Sequence, residues 1–377
     1  MRKGWAVVMA AVLLCCSWAR ADAAPGVEGK GIEVAAKAAI LIERESGRVL
    51  FEHNADVRYP MASTTKIMTA LIAVEHCEMD EIVTAGKNAS GVTGTSIYLS
   101  VGEQLTMEHM LQGLMLRSGN DAAVAIAEHI AGSVEHFAFL MNERARMLEA
   151  DARFVTPNGL DAPGHGASAR AMALITREAM GNEAFRRLVS MQRAVIPWVG
   201  SEYSRVLQNK NRLLSEYEGA TGVKTGFTSK AGRCLVFSAE REGMELIGVV
   251  MNCPGWFDEA KRMLDWGFGN FSVQQLVEAG ERLGEAEIVN GMNATVGLCA
   301  QEALCYPLGP EDQWRVEHVG AERLEAPVEK GDPAGWLVLT VNGEEAARIG
   351  VVVQERVERR SLVNRMRKWM RSLRFWK

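Results

Sequence analysis

The sequence predicts an α+β domain followed by a small all-β domain. A hairpin pattern near the start joins residues 39–42 and 49–51 through Ser46-Gly47. Amphipathic helical patterns fill the middle, and a strand at 221–226 precedes a second hairpin, 233–239 with 245–251. Strands at both ends of a region, with helices between them, are typical of an α+β domain in which the terminal strands share one sheet.

Length and composition fit a globular protein of more than one domain. The 377 residues include 48% hydrophobic and 24% charged side chains, and the formal net charge is −5. These are ordinary values for soluble domains. The sequence contains no C-x-x-C, no H-E-x-x-H and no phosphate-binding glycine loop, so we expect no metal, cofactor or nucleotide, and no nucleic-acid partner.

The first 23 residues have the pattern of a secretory signal peptide. Arg2 and Lys3 precede an apolar stretch at 6–18, and Ala19-Arg20-Ala21 or Ala21-Asp22-Ala23 fits a small-x-small cleavage site. The apolar stretch is too short to favour a membrane-spanning helix. We therefore expect an exported protein, with lipidation at Cys15 or Cys16 disfavoured by the bulky Leu14.

The first of three short motifs is Ser63-Thr64-Thr65-Lys66. It begins a run at 64–76 with almost no polar face, which predicts a buried helix. Ser63 would lie at the helix N-terminus, where free N–H groups favour negative charge, and Lys66 would lie one turn later on the same face. A neutral Lys66 amine could remove the serine proton, whereas a serine that merely caps the helix would leave the buried lysine unexplained.

The second motif, Ser118-Gly119-Asn120, falls in a very short connection between two helical patterns. Thr106 can cap the first helix and Asn120 the second. A connection held at both ends could direct Ser118 as a proton relay and the Asn120 amide toward a substrate carbonyl. An ordinary turn with a capping asparagine is the alternative when this motif is considered alone.

The third motif, Lys224-Thr225-Gly226, lies on the predicted strand 221–226. A peptide could pair along this strand while Lys224 and the Thr225 hydroxyl hold its carboxylate. Gly226 would allow a close backbone approach. The N–H groups of Ser63 and Phe227 are candidates for an oxyanion hole. Taken alone, K-T-G is more often a surface turn, but all three motifs in this order are a specific signal for active-site serine acyl transfer.

The chain resembles the low-molecular-mass penicillin-binding proteins, specifically the serine D-alanyl-D-alanine carboxypeptidases of the peptidase S11 family. The resemblance is close over about residues 30 to 270 and extends beyond the three motifs. It also includes Asn54-Ala55-Asp56, Pro60-Met61-Ala62-Ser63, Leu116-Arg117-Ser118, Asn158-Gly159-Leu160-Asp161, Ser168-Ala169-Arg170 and Ala231-Gly232. It implies a β-lactamase/transpeptidase-like catalytic domain, a five-stranded antiparallel sheet flanked by helices.

The sequence departs from this family at two positions. Ala171 stands where many relatives carry an aspartate, which leaves support for the neighbouring loop in question. Phe227 replaces a histidine found in some relatives, so only its backbone role carries over. His165 lies in the loop at 161–165, where a plain loop histidine is favoured over a role near the cleft.

Three functional alternatives remain beside a carboxypeptidase that trims D-alanine from peptidoglycan stem peptides. A class A β-lactamase would need a glutamate in the loop before the third motif, and residues 156–170 contain none. A D,D-endopeptidase would use the same residues on cross-linked peptides. A catalytically dead peptidoglycan-binding protein is disfavoured by the intact motifs. β-Lactams are expected as covalent inhibitors.

Five cysteines follow the expected signal peptide, an odd number for an exported protein. Cys234 with Cys253, and Cys299 with Cys305, are possible bridges by position, and the pairing is left open. The fifth is Cys77.

The chain is predicted to divide at residues 1–23, 24–272, 273–356 and 357–377. Alternating runs at 336–341 and 348–353 around Asn342-Gly343 indicate the small β domain. Residues 361–377 carry six cations and no acid, so the remainder of the chain sums to −11. An apolar stripe on this basic stretch predicts an amphipathic helix that binds an anionic membrane surface, against the alternative of packing on the β domain. The stripe comprises Leu362, Met366, Trp369, Leu373 and Trp376.

Overall fold

The computed structural model describes residues 31–361, so the expected signal peptide and the basic stretch after Ser361 lie outside the described residues. The strands of the first region are β1 (Ala38–Glu43), β2 (Val49–His53), β3 (Ile82–Thr84), β4 (Gln104–Thr106), β5 (Ala152–Arg153), β6 (Gly166–Ala167), β7 (Arg193–Ile196), β8 (Arg205–Gln208), β9 (Ala220–Thr228), β10 (Gly232–Arg241) and β11 (Met244–Met251). Its helices are α1 (Lys66–His76), α2 (Met107–Leu116), α3 (Asn120–Ala131), α4 (Val134–Met147), α5 (Ala169–Met180), α6 (Glu183–Ser190), α7 (Leu213–Glu216) and α8 (Trp256–Asn270).

The central sheet has five antiparallel strands in the order β2-β1-β11-β10-β9, as predicted. The first hairpin and the last three strands share this sheet because β1 pairs with β11, with Ile40 opposite Val249. Strand β9, which carries the third motif, is an edge strand. Its outer side therefore offers unpaired backbone groups.

Both faces of the sheet are buried, which gives three layers. Ile40 and Ile42 of β1 belong to the core shared with α1, α2, α3 and α5, whereas Leu41 faces the core beneath α8. Successive strand residues point to opposite faces, so a run of apolar residues without alternation suits a strand covered on both sides. The six residues of β1 are all buried accordingly.

The helix after the first motif differs slightly from its prediction. Residues Ala62–Thr65 form a short 3-10 helix, and α1 begins only at Lys66. The Thr106 cap is confirmed, because its side chain accepts a hydrogen bond from the His109 N–H. The predicted Asn120 cap is wrong: Gly119 takes the N-cap position, and the Asn120 side chain is used elsewhere.

A second, all-β domain follows α8. Its strands are β12 (Ser272–Val277), β13 (Arg282–Val289), β14 (Thr295–Ala300), β15 (Leu304–Leu308), β16 (Trp314–Gly320), β17 (Arg323–Glu325), β18 (Pro333–Val341) and β19 (Glu344–Val353). Six of them form one sheet in the order β16-β18-β19-β14-β13-β17, and β12 pairs with β15. The predicted hairpin at Asn342-Gly343 joins β18 to β19.

A buried ion pair joins the two domains. Arg48, from the β1–β2 hairpin, donates to both carboxylate oxygens of Asp312 at 2.7 Å and to the Pro307 carbonyl at 2.5 Å. The guanidinium also lies over the rings of Phe271 and Tyr306. This planar cation therefore fixes the hairpin of the first domain to a loop of the second.

The possible disulfides do not form: the five described cysteines are free, including Cys234 with Cys253 and Cys299 with Cys305. Within residues 31–361, no helix has both the length and the apolar character that crossing a bilayer requires.

Candidate active site

Ser63 lies on the short 3-10 helix that leads into α1. The preceding residue, Ala62, has a φ of 48°, a left-handed conformation that costs energy for a residue with a Cβ. The hydroxyls of Thr64 and Thr65 donate to the carbonyls of Met61 and Ala62, at 2.6 and 2.8 Å. These bonds hold the turn in a strained shape that sets the direction of the serine.

Two glycines allow other segments to approach this turn. A Cβ added to Gly226 on β9 would lie 3.0 Å from the backbone nitrogens of Ser63 and Thr64. A Cβ added to Gly159 would lie 1.9 Å from the Ala62 carbonyl oxygen, and Gly159 also has a φ of +83°. Strand β9 and the 156–165 loop can therefore contact the serine turn only because both positions lack a side chain.

Lys66 is fully buried, and its amine contacts three oxygens. Nζ lies 3.0 Å from Ser63 Oγ, 2.8 Å from Asn120 Oδ1 and 2.5 Å from the Asn158 carbonyl oxygen. The Asn120 Nδ2 group donates to the Thr93 carbonyl, which fixes the other amide atom as an acceptor. A neutral amine has two N–H donors for these two acceptors, which leaves its lone pair for the serine hydroxyl.

The electrostatics favour the neutral amine. Burial is the largest cause that lowers the pKa of Lys66 well below its ordinary value, followed by the like charges of Lys224 and Lys210. The buried Asp121 opposes this, but its carboxylate accepts from Ser96 and from the Ile97 and Leu99 N–H groups. A desolvated lysine without a contacting carboxylate loses its proton easily.

Lys224 is also buried, on the edge strand β9. Its amine donates to the Thr225 carbonyl at 2.9 Å, and within residues 31–361 it forms no ion pair with a carboxylate. Burial, followed by the charge of Lys210, lowers the pKa of Lys224 to about 7. An incoming carboxylate would restore the cationic form, so this amine is suited to bind an anion.

Ser118 and Asn120 lie at the α2–α3 connection, as predicted. Ser118 has a φ of 65° and is buried, and the Gly119 N–H donates to the Gly113 carbonyl at 3.0 Å. The Asn120 N–H donates to the Thr95 carbonyl at 2.7 Å. The connection is therefore held from both sides, and the asparagine amide bridges Lys66 to the 93–95 segment.

His165 corrects the prediction of a plain loop histidine. The ring is buried, Nδ1 accepts from the Val155 N–H at 3.0 Å, and Nε2 lies 3.0 Å from Thr65 Oγ1. Burial lowers the pKa of His165 to about 4, so the ring is neutral near pH 7 and Nε2–H donates to the threonine. This histidine ties the loop to the serine turn.

The 156–170 loop is supported by other polar contacts although Ala171 stands where many relatives carry an aspartate. Arg170 donates to Asp56 at 2.7 Å and also pairs with Glu52, next to the short β5–β6 ladder. Between residues 156 and 170 the acidic side chain is Asp161, which accepts from Thr228 at 3.2 Å at the end of β9. The loop thus spans from β2 to β9 around the serine turn.

The structure brings most of the predicted site residues together. Lys66 is in direct contact with both Ser63 and Asn120, and the charge of Lys224 acts on Lys66. Gly226 packs on the serine turn, with Thr225 and Phe227 beside it on β9; Thr225 is buried and Phe227 is 63% exposed. Ser118 lies at the adjoining connection.

Sequence reasoning missed two members of the site. The Asn158 carbonyl and the Lys210 charge both act on the buried lysine. Asn158 lies within a stretch noted only for its resemblance, and Lys210 stands in no motif. Backbone carbonyls and long-range charges leave no periodic signal in a sequence.

A hydroxyl on a strained turn, a buried neutral amine, a second buried amine and an edge strand define a class of protein. This is the arrangement of a serine acyl-transfer enzyme with the penicillin-binding, transpeptidase-type fold.

The comparisons with known proteins agree with this class. Residues 22–255 match the family model described as D-alanyl-D-alanine carboxypeptidase, peptidase S11, and residues 271–359 match the C-terminal domain of penicillin-binding protein 5. The chain therefore belongs to the peptidase S11 family of serine-type D-alanyl-D-alanine carboxypeptidases, whose activity is hydrolytic and serves the cell wall.

Individual relatives cover nearly the whole chain. D-alanyl-D-alanine carboxypeptidase DacF of Bacillus subtilis is 31% identical over 347 residues, which is 89% of this chain and 89% of the relative. DacC of Escherichia coli is 34% identical over 345 residues, 86% of this chain and 85% of the relative. The solved structure of penicillin-binding protein 5 from Haemophilus influenzae has a TM-score of 0.74 at 30% identity, covering 88% of this chain and 99% of that one.

Proposed function

We propose that this carboxypeptidase is exported and removes the terminal D-alanine from peptidoglycan stem pentapeptides through an acyl-enzyme on Ser63. The observation that carries the proposal is the Lys66 amine, which lies 3.0 Å from Ser63 Oγ while two neutral acceptors take its N–H groups. A base held this way, with its lone pair toward the hydroxyl, is suited to activate a serine near neutral pH.

In the proposed first step, the proton of the Ser63 hydroxyl passes to Lys66 Nζ. The serine oxygen attacks the carbonyl carbon of the penultimate D-alanine, and the Ser63 and Phe227 N–H groups stabilise the negative charge on the carbonyl oxygen. When the peptide bond breaks, the proton goes to the amine of the leaving D-alanine through Lys66 and the Ser118 hydroxyl. An ester on Ser63 and free D-alanine result.

In the second step, a water molecule hydrolyses the ester. The same amine, neutral again, accepts a proton from water, and that proton returns to Ser63 Oγ as the shortened peptide leaves. Before the first step the substrate is held by pairing along β9, by the Asn120 amide, and by Lys224 and Thr225 at its terminal carboxylate, which leaves with the D-alanine. The buried Lys224, with a pKa of about 7, becomes cationic when that carboxylate approaches.

Penicillin should react at the same serine because its carbonyl and carboxylate can occupy the positions of the peptide. No glutamate in the 156–170 loop is available to activate a deacylating water, and this favours a long-lived penicilloyl-enzyme over β-lactamase activity. An adduct that survives much longer than a catalytic cycle on peptide is therefore expected in intact-mass measurements. Rapid turnover of penicillin with no visible adduct would support the β-lactamase alternative.

The decisive activity experiment compares two substrates. The purified protein is incubated with a pentapeptide that ends in D-Ala-D-Ala and, separately, with cross-linked muropeptides. Release of D-alanine from the pentapeptide alone is expected. Cleavage of the cross-link at a similar rate would make the protein a D,D-endopeptidase, and no release from either, with intact penicillin binding, would make it a binding protein.

We further propose that the exported protein is held on the outer face of the cytoplasmic membrane by residues 361–377. Six cations without an acid, and an apolar stripe with two tryptophans, support this proposal. Near an anionic surface each cation contributes about 1 kcal/mol. The described domains are compatible with a peripheral protein, since none of their helices is suited to cross a bilayer.

Flotation with vesicles tests the anchor. The full chain should float with vesicles that contain anionic lipid at low salt, and deletion of residues 361–377 should release it without loss of D-alanine release from soluble peptide. A matched variant that replaces the six tail cations with glutamine, but keeps the apolar stripe, should bind weakly. Equal binding by full and truncated chains, or no binding by either, would contradict the proposal.

A further inference from the structure

A cluster of Cys77, Glu81 and His129 lies outside the active site. Their sulfur, carboxylate oxygen and imidazole nitrogen all fall within 4.8 Å of one another. Among residues 31–361 this is the group of three histidine, cysteine or acidic side chains whose possible ligand atoms lie close enough to hold one ion. We propose that these three side chains form a binding site for a divalent transition-metal ion, with Zn²⁺ as the best fit.

The donor set supports Zn²⁺. Thiolate, imidazole and carboxylate are the three protein ligand types that zinc takes, whereas Ca²⁺ and Mg²⁺ prefer oxygen alone. In a tetrahedral site with ordinary bond lengths, the ligand atoms would be separated by about 3.3 to 3.6 Å. The observed limit of 4.8 Å requires the longest separation to close by little more than about 1 Å, a rotamer-scale adjustment.

The three ligands come from three elements that meet at one place. Cys77 is the C-cap of α1, Glu81 precedes β3, and His129 is in the last turn of α3. The C-terminal ends of both helices carry partial negative charge, which favours a cation there. Beside Glu81 itself, residues 75–81 contain three further carboxylates and no lysine or arginine.

The cluster is accessible enough to receive an ion. Glu81 is 43% exposed and His129 is 22% exposed, and Cys77 is partly buried. A water molecule could therefore supply a fourth ligand from the solvent side. The metal-free groups already contact one another, since His129 Nε2 lies 2.8 Å from Glu81 Oε1 and the thiol hydrogen-bonds to Glu81.

Metal binding must displace the proton of the thiol. The thiolate, not the thiol, is the form of cysteine that binds a metal ion. On binding, the S–H bond breaks, the proton goes to solvent, and the sulfur donates its electron pair to the metal ion. No electron leaves the protein in this step.

An ion at this site would connect two helices that also meet at the active site. Helices α1 and α3 carry Lys66 and Asn120 at their N-terminal ends, where the two side chains meet at 2.8 Å. An ion shared by Cys77 and His129 would join the opposite ends of the same two helices. Binding to the folded state alone should therefore stabilise the protein against unfolding.

Equilibrium dialysis of the full chain against Zn²⁺ tests the site. Wild-type protein should retain one ion per chain, and Cys77→Ser, Glu81→Gln and His129→Ala should each weaken its affinity by about tenfold or more. Cys305→Ser and His318→Ala, which change the same residue types in the β domain, should bind as the wild type does. Cys15 and Cys16 are common to all the proteins compared.

Two further readouts separate a specific site from adventitious binding. Co²⁺ used in place of Zn²⁺ should give a thiolate-to-metal charge-transfer band that disappears in Cys77→Ser, and Zn²⁺ should raise the melting temperature of the wild type but not of His129→Ala. Equal Zn²⁺ retention by wild type and the three ligand variants, or bound Co²⁺ without a thiolate band, would overturn the proposal. The three residues would then form only a hydrogen-bonded cluster.

Discussion

Buried cations serve opposite purposes in two regions of this molecule. In the catalytic cleft, the amines of Lys66 and Lys224 contact neutral oxygens. At the junction between the domains, the Arg48 guanidinium bonds to both carboxylate oxygens of Asp312. The two regions bury their cations to a similar extent, so the difference lies in the counter-ion.

The counter-ion decides whether burial creates reactivity or rigidity. Burial lowers the pKa of both lysines because no carboxylate of the described residues contacts either amine to compensate for its lost hydration. Burial alone would raise the pKa of Asp312, but the hydrogen bonds from Arg48, the Gly309 N–H and Asn342, together with the Arg48 charge, outweigh it and hold that pKa below its usual value. Without a counter-ion, the buried Lys66 can lose its proton and act as a base. With its counter-ion Asp312, the buried Arg48 stays charged and links the two domains.

The largest expected effect comes from replacing the base by a cation that cannot lose its proton. Lys66→Arg should reduce the rate of acylation by penicillin by about 10²- to 10⁴-fold, the usual contribution of a general base. Stopped-flow acylation measures the rate, and circular dichroism verifies that the variant is folded. Lys330→Arg, on the surface of the β domain, is the matched control.

Near-normal acylation by a folded Lys66→Arg protein would remove Lys66 from the role of base. The absence of a counter-ion at Lys66 would then have no catalytic role.

Breaking the Arg48–Asp312 pair between the domains should lower the stability of the protein and leave its rate of acylation unchanged. Arg48→Met leaves the Asp312 carboxylate buried without its cation, with only the Gly309 N–H and the Asn342 amide of the described residues as donors, which costs about 3 to 5 kcal/mol of unfolding free energy for a pair of this kind. Denaturant titration measures the loss, and the acylation rate of the folded protein should stay unchanged. An Arg48→Met/Asp312→Leu double variant should recover part of the stability, because no unpaired charge remains.

The exposed pair between Arg323 and Glu287 in the β domain provides the control. Arg323→Met should cost less than about 1 kcal/mol, as exposed pairs do. Equal losses from the buried and the exposed arginine would show that the junction does not depend on a desolvated pair.

The buried lysines should also make stability depend on pH. Between about 7 and 10.5, the unfolded chain protonates Lys224 and the folded chain does not, so protons favour unfolding in this window. Unfolding free energy should therefore rise with pH across it, by at most about 1.4 kcal/mol per pH unit for each such lysine. Lys224→Met should flatten the slope, whereas Lys330→Met should leave it intact.

A slope that is the same in Lys224→Met and in the wild type would mean that the buried amine keeps its proton in the folded state. Chemical denaturation at a series of pH values measures this slope directly.

The smallest expected effect is a shift in the acylation profile. The charge of Lys224 lowers the pKa of Lys66, and Lys210 does so to a lesser extent. Lys210→Met should therefore move the acid limb of the acylation rate toward higher pH, since the base then holds its proton more tightly. A shift toward lower pH, or none, would contradict the coupling between these lysines.

Local patterns in the sequence predicted what lies within one element. The buried face of α1, the Thr106 cap and both hairpins follow from periodicity and turn residues, and all are present. The Asn120 cap was wrong because a tertiary contact with Lys66 competes for its side chain. Capping chemistry alone cannot reveal that competition.

Contacts between distant segments were not predictable in the same way. The Asn158 carbonyl is 92 residues from Lys66, and Asp312 is 264 residues from Arg48. The residues around His165 indicated only a loop histidine. Its burial depends on packing against the serine turn, which the local sequence does not show. The basic stretch at 361–377 lies outside the described residues and stays a prediction.

The most direct test of the central claim is to locate the penicillin adduct. The protein is labelled with penicillin, digested, and mapped by mass spectrometry, and Ser63→Ala is treated in parallel. The acyl group is expected on Ser63 of the wild type, and Ser63→Ala is expected not to be labelled at all. An adduct on Ser118 or any other residue, or undiminished labelling of Ser63→Ala, would contradict the assignment of the nucleophile.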